Sequence, residues 1–241
     1  MKKFELHCHS SGPSICADVL DEQLVLEYKN AGYDGIVLTN HINWSFNNYQ
    51  GKTHKEKTDY YFSAVDRIKE LGKKNGISVL FGAEVVAVTD DGMHQEFLLY
   101  GFDRQFLYDN SLVNNYDQKG LFELAKKHNL FMSQTHPFRE GEKLGNPLYM
   151  HGAEAFNGHY HHDNFNEKAM EFCKQNNLKM LSGTDYHHSG QPILGGAYLP
   201  DDITTERALA DYLLSCQPDI IVQQEKCLQA RKEYLERKLS K

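Results

Sequence analysis

Two histidines one residue apart, His7 and His9, are the first residues in the chain able to do chemistry together. They lie in Phe4-Glu5-Leu6-His7-Cys8-His9, where apolar and polar residues alternate with the period of a β-strand. Residues two apart on a strand share a face, so the spacing predicts two imidazoles side by side. Neutral imidazoles on a rigid strand end make a clamp for a transition metal. A His-x-His alone carries little; its weight comes from four later apolar runs that each lead into a His, Asp or Glu. These runs deliver His41, Glu84, His136, and Asp185 with His187. Asp185-Tyr186-His187 repeats the spacing of the first pair. Such side chains are the ligands of catalytic zinc, manganese and iron sites, and carboxylates can bridge two ions.

Positioning these groups requires regular elements, and the sequence supplies them in alternation. Helical spacing of apolar residues is present over residues 21–31, 59–74, 119–128, 166–175 and 204–214. Short apolar runs at 34–39, 77–82, 96–101, 130–134, 152–156, 179–182 and 220–222 read as strands. Residues 42–57 read as a long polar and aromatic loop, the kind that in a compact domain usually serves function. A charged amphipathic helix is expected over about 224–239, packed on the outside. Strands alternating with helices imply parallel βα units. About seven such units without a linker or repeat favour one α/β domain over residues 1–241, a barrel rather than an open sheet. In a βα barrel, functional groups gather at the C-terminal ends of the strands. Every candidate ligand falls at one of those ends.

Bulk composition narrows the function class. Hydrophobic residues make up 40% and charged residues 24% of 241 positions, ordinary for a globular protein with a sizeable core. The formal charge of -7 argues against an extended nucleic-acid track, which needs clustered Lys and Arg, and leaves small anionic substrates open. A metal site would supply its own local positive charge for such substrates. Five cysteines without Cys-x-x-Cys spacing argue against a disulfide framework or zinc knuckle. With no secretory h-region and no stretch near the ~20 apolar residues of a membrane span, a cytoplasmic protein with no membrane partner is expected.

The segments His7-Cys8-His9, Thr39-Asn40-His41, Gly82-Ala83-Glu84, His136-Pro137-Phe138-Arg139 and Gly183-Thr184-Asp185-Tyr186-His187 together resemble the PHP (polymerase and histidinol phosphatase) family. The resemblance implies a metal-dependent phosphoesterase of the histidinol-phosphatase kind on a distorted (β/α)7 TIM-like barrel. It implies two or three divalent ions, zinc, manganese or iron. By that resemblance His7, His9, Glu84 and Asp185 hold one ion, and Glu84 bridges to a second held also by His136. Asp18, His41 and His187 hold a third. Asp185, His187 and Arg139 then stand closest to the chemistry, with Arg139 also binding substrate phosphate. Three features depart from the family pattern. Asn40 stands where a carboxylate is usual. The strand over 96–101 lacks the usual histidine, with His94 the nearest substitute. The loop carrying Asp18 aligns only with a gap, and Asp18 serves equally well as a helix cap.

Other polar residues receive plainer readings. His159, His161, His162, His188 and His54 read as solvated loop residues, Glu154 as a strand-end polar residue, and Cys8 as core. The expected activity is hydrolysis of a small phosphomonoester. Nucleotide release from an oligonucleotide end is the alternative enzyme reading, and a metal-stabilised, non-catalytic assembly module is the alternative of another class.

Overall fold

A computed structural model of the chain describes residues 1–43, 46 and 51–240. The loop expected over 42–57 thus lies partly outside the described residues. In chain order the elements are β1 (Lys2–Cys8), α1 (Asp21–Asn30), β2 (Gly35–Leu38), β3 (His41–Ile42), α2 (His54–Asn75), β4 (Ser78–Val86) and β5 (Glu96–Tyr100). Then come α3 (Arg104–Asp109), α4 (Gln118–Lys127), β6 (Phe131–Gln134), β7 (Gly152–Asn157), α5 (Asn166–Gln175) and β8 (Lys179–Gly183). The chain closes with β9 (Ala197–Leu199), α6 (Glu206–Ser215), β10 (Asp219–Ile220) and α7 (Gln224–Leu239). Helix α2 begins five residues before the expected start. The reason is local: Thr53 accepts from the Glu56 amide while Glu56 reaches back to the Thr53 amide, a complete capping box. Among the described residues, no helix is long and apolar enough to cross a membrane.

The sheet runs β10-β9-β1-β2-β4-β5-β6-β7-β8, with β3 added to β4. It curls until the end of β8 returns to β1: the Asp185 amide donates to the His7 carbonyl (2.8 Å) and the His9 amide to the Tyr186 carbonyl (2.9 Å). The result is the expected α/β architecture with a nearly closed, barrel-shaped sheet. Two strands, β5 and β9, depart from the parallel βα pattern, β9 by running antiparallel to β1. Strand β5 runs antiparallel to both β4 and β6. Its first residue, Glu96, therefore sits at the barrel end where the other strands finish.

Inside the barrel, Phe4, Leu6, Val37, Leu80, Leu98 and Leu181 meet Leu209, Ala210 and Leu213 of α6, which closes the lower end. Full burial of each such side chain stabilises the fold by about 1.5–3 kcal/mol. Outside the sheet, α1, α2 and α4 bury Leu24, Tyr61 and Leu121 in a second cluster that includes Cys8.

Strict alternation along β1 fails, and the failure helps form the site. Phe4 and Leu6 belong to the inner cluster but Cys8 to the outer one. The register against β2 shifts between Glu5 and Cys8. One oxygen of the buried Glu5 carboxylate accepts from the amides of Leu6 (2.9 Å), His7 (2.8 Å) and Thr184 (2.9 Å), and the other from Tyr28 (2.8 Å). Glu5 thereby binds the irregular stretch of β1 to the end of β8. Burial pushes its pKa up, while these hydrogen bonds pull the other way.

Gly183 lets β8 close against β1. A Cβ at this position would lie 2.3 Å from the His7 Cβ and 2.9 Å from Glu154 Oε1. Gly183→Ala is therefore expected to destabilise the protein by about 1–3 kcal/mol, the scale of overpacking a filled interior. The check is a denaturant midpoint; an unchanged midpoint would mean that the β1–β8 seam yields without cost.

Candidate metal centre

The mouth-facing ends of several strands contribute side chains, and those side chains meet. His7 and His9 come from the end of β1, and their Nε2 atoms lie 3.0 Å apart. The β3–β4 ladder pairs His41 directly with Glu84, bringing His41 Nδ1 to 3.0 Å from Glu84 Oε2. Glu84 Oε2 also lies 3.4 Å from His7 and 3.3 Å from His9, while its Oε1 lies 3.3 Å from His136 Nε2. Asp185 Oδ1 stands 3.5 Å from both His7 and His9 and 3.3 Å from His187 Nδ1. All seven residues are buried. His136 and Asp185 adopt left-handed backbone, φ 26° and 56°. A non-glycine residue held there stores roughly 1–3 kcal/mol of strain, which surrounding structure must hold in place.

Hydrogen bonds behind the first two rings set their tautomers. His7 Nδ1 donates to Glu154 Oε1 at 2.8 Å. The Ser14 hydroxyl gives its proton to Asn40 Oδ1 (2.9 Å), so it accepts from His9 Nδ1 (3.2 Å) and from the His41 amide (3.1 Å). Both Nε2 lone pairs therefore face inward, toward each other and toward two carboxylates. Such a cluster fits a cation at its centre, and Nδ1 backed by an acceptor is the usual arrangement behind a ligating imidazole. Glu84 Oε1 strengthens the fit, being buried with no partner in hydrogen-bond geometry. Sets of three donors within 4.8 Å of one another include His7, His9 and Asp185; His9, His41 and His187; and His41, Glu84 and Glu96.

Electrostatics separates the two histidines of β1. Burial opposes charge on His7, but the carboxylates of Glu154, Asp185 and Glu84 raise its pKa well above the usual value. Burial lowers His9, and neighbouring His187 and His41 lower it further. Burial disfavours the charged Asp185 carboxylate, yet His7, Arg139 and His187 hold its pKa well below the usual range.

The seven strand-end ligands anticipated by motif converge; Asp18 does not join them. Its side chain is 72% exposed and pairs with His188 at 3.2 Å, while its amide donates to the His187 carbonyl. Cys16 lines the cleft instead. Burial raises its thiol pKa, but hydrogen bonds with His187 and His41 bring it down to about 6. Arg139 lines the same cleft with Nη2 on Asp185 (2.7 Å) and Asn157 (3.1 Å) and Nε on Asn164 (2.8 Å). Its first partner is thus a proposed ligand rather than solvent. Asn40, in place of the usual carboxylate, holds the Ser10 amide (2.8 Å) and Ser14, and so acts on His9 and His41 through Ser14. His94 lines the cleft and is joined through its backbone to the segment carrying Glu142 and Lys143.

Several functional neighbours escape the plain reading of the sequence. Glu154 is no idle strand-end residue: besides His7, it accepts from the His136 amide (3.0 Å) and Asn157 Nδ2 (2.9 Å). The β7–β8 register shifts between Glu154 and Phe156, an irregularity no residue type announces. Glu96 reaches 3.7 Å from His136 because β5 is antiparallel. Burial, with the neighbouring Glu84 charge, pushes Glu96 up to about 7. His159, expected in solvent, is buried, its Nδ1 2.8 Å from the Asp185 carbonyl; burial lowers its pKa to about 3. His161 stands at the mouth stacked on Tyr234 of α7, ring centroids 4.2 Å apart. The cleft these residues enclose measures ≈ 340 Å³.

No protein-family model and no curated protein matches the sequence. Solved structures do match. A two-domain protein from Bacteroides vulgatus, containing a predicted PHP-like metal-dependent phosphoesterase, superposes with a TM-score of 0.64 at 20% identity, over 96% of this chain and 69% of that one. PsfC from Pseudomonas syringae gives 0.66 at 14% identity, over 97% of each chain. Endonuclease Q, solved with a 27-mer duplex carrying an abasic lesion, gives 0.58 at 11% identity, over 90% of this chain and 58% of that one. This last likeness corrects the expectation that no extended nucleic acid is a partner. The same fold is found in a protein holding a DNA duplex, so a net charge of -7 does not exclude one. Net charge describes the whole surface, whereas an active-site cleft responds to the few groups that line it. The chain has the fold of the PHP-like metal-dependent phosphoesterases, and its donor side chains converge at the mouth of that fold.

Proposed function

We propose that the chain is a metal-dependent phosphoesterase of the PHP type, acting on a small phosphomonoester. The observation that carries this reading is the inward-facing set His7, His9, Glu84, His136 and Asp185, with His41 and His187 beside it, in a cleft also lined by Arg139. His7, His9, Glu84 and Asp185 would hold one ion, Glu84 and His136 a second, and His41 and His187 a third. Divalent ions bound there would polarise phosphoryl oxygens and supply water that ionises near neutral pH. The chain's own residues supply position. Glu154 and Ser14 fix the two imidazoles of β1. Arg139 holds Asp185 and offers its remaining guanidinium edge to a phosphoryl oxygen, for which a planar, permanently charged donor is suited. His159 and His161 narrow the mouth around the leaving group.

Phosphodiester cleavage on a nucleic-acid strand is the second reading, favoured by the likeness to endonuclease Q. The experiment that decides is a release assay with manganese or zinc added. Its panel holds histidinol phosphate, sugar and nucleotide monophosphates, a short oligonucleotide and an abasic duplex. Saturable phosphate release from a monoester supports the first reading. Cleavage of the oligonucleotide or duplex alone transfers support to the second. Inertness toward all of them with either metal overturns both.

A further inference from the structure

Beside the imidazole-rich part of the centre lies a group of different chemistry. Glu96, His136 and Glu142 place donor atoms within 4.8 Å of one another. Glu96 is brought there by the reversed direction of β5, and Glu142 by a turn in which its amide donates to the Arg139 carbonyl (3.0 Å). Two further atoms point to a ligand. Glu84 Oε1, on a side chain only 1% exposed, lies 3.3 Å from His136 Nε2 and has no partner in hydrogen-bond geometry. Glu142 Oε2 is likewise enclosed without a hydrogen-bond partner.

We propose that Glu96, Glu142, His136 and the Oε1 of Glu84 form an oxygen-rich position selective for a hard divalent cation, manganese or magnesium. The neighbouring set His9, His41 and His187 forms a nitrogen-rich position selective for zinc. Three carboxylates and one imidazole suit ions that prefer oxygen, whereas three imidazoles suit zinc. Glu96 and Glu142 are only partly buried, which leaves room for the waters that hard ions retain. The centre therefore sorts two kinds of ion between adjacent positions. This deepens the phosphoesterase reading of the same cleft, but its test measures bound ions and not turnover, so either can fail without the other.

Because zinc outcompetes manganese at most sites, the test controls supply. Metal-stripped protein receives two equivalents of zinc, enough for the two positions that carry His7 with His9 and His41 with His187, and free manganese is then titrated by electron paramagnetic resonance, with bound zinc measured by elemental analysis. The parent is expected to keep its zinc and bind manganese. Glu96→Gln and Glu142→Gln are each expected to weaken manganese binding by about 10–100-fold with zinc content unchanged. Glu96→His is expected to convert the position into a further zinc site. Circular dichroism monitors folding; Glu142→Gln, on a partly exposed loop, decides if Glu96→Gln fails to fold. Parent manganese affinity in Glu142→Gln, or no manganese bound by the zinc-loaded parent, would overturn the proposal.

Discussion

His9→Ala is expected to lower phosphoesterase turnover by at least about 10²–10³-fold, the scale on which loss of one electrostatic stabiliser is felt in a dry site. His9 is where the donor sets overlap. It belongs to the set with His7 and Asp185 and to the set with His41 and His187. Its ring lies 4.4 Å from that of His41 and 4.2 Å from that of His187, centroid to centroid. Removing it opens both positions at once, and no other side chain of β1 can reach in its place, since Cys8 is packed in the outer core. Metal content by elemental analysis should fall together with turnover, while circular dichroism stays that of a folded barrel. Equal turnover and equal metal content in variant and parent would remove the metal-centre reading altogether.

The residues legible in the sequence share one property: each lies in the closing part of a buried apolar run or just past it. His7, His41, Glu84, His136 and Asp185 could be placed by period and by the strand-end rule because each follows a buried run directly. The rule misses Glu96 for a physical reason. β4 turns back into β5 as a hairpin, so the mouth-facing end of β5 is its beginning, and a rule that looks to the residue closing a strand passes over the one that opens it. Glu154 is hidden differently. Its neighbours Ala153 and Ala155 both belong to the outer cluster, so Glu154 faces inward, and a carboxylate between two alanines does not announce which face it takes. His159 lies in a polar stretch that reads as solvated, yet its imidazole is covered by the end of β8 through the Asp185 carbonyl. The loop after β1 is the least legible part. Asp18 has the right residue type but turns an exposed carboxylate to His188, whereas Cys16, a residue given no role in the sequence reading, lines the cleft.

Glu154 also yields the largest expected effect on stability. Its carboxylate receives three buried donors, from His7 Nδ1, the His136 amide and Asn157 Nδ2, and it is itself 1% exposed. Glu154→Ala leaves all three unmet and opens a polar hole between β1, β6 and β7. Breaking a buried charged interaction from one side costs about 3–5 kcal/mol, which for a chain of this length lowers the melting temperature by roughly 6–20 °C. The same change frees the His7 ring to rotate and to move its proton to Nε2, so metal affinity should fall by about 10–100-fold, as expected when the acceptor behind a ligating imidazole is lost. Glu154→Gln separates the two effects. It restores the volume and one carbonyl acceptor, so much of the thermal loss should be recovered. Its amide protons still face donors, so metal affinity should remain low. A Glu154→Ala protein that melts with the parent and binds zinc equally well would show that His7 is oriented by the β1 backbone alone, with the carboxylate behind it dispensable.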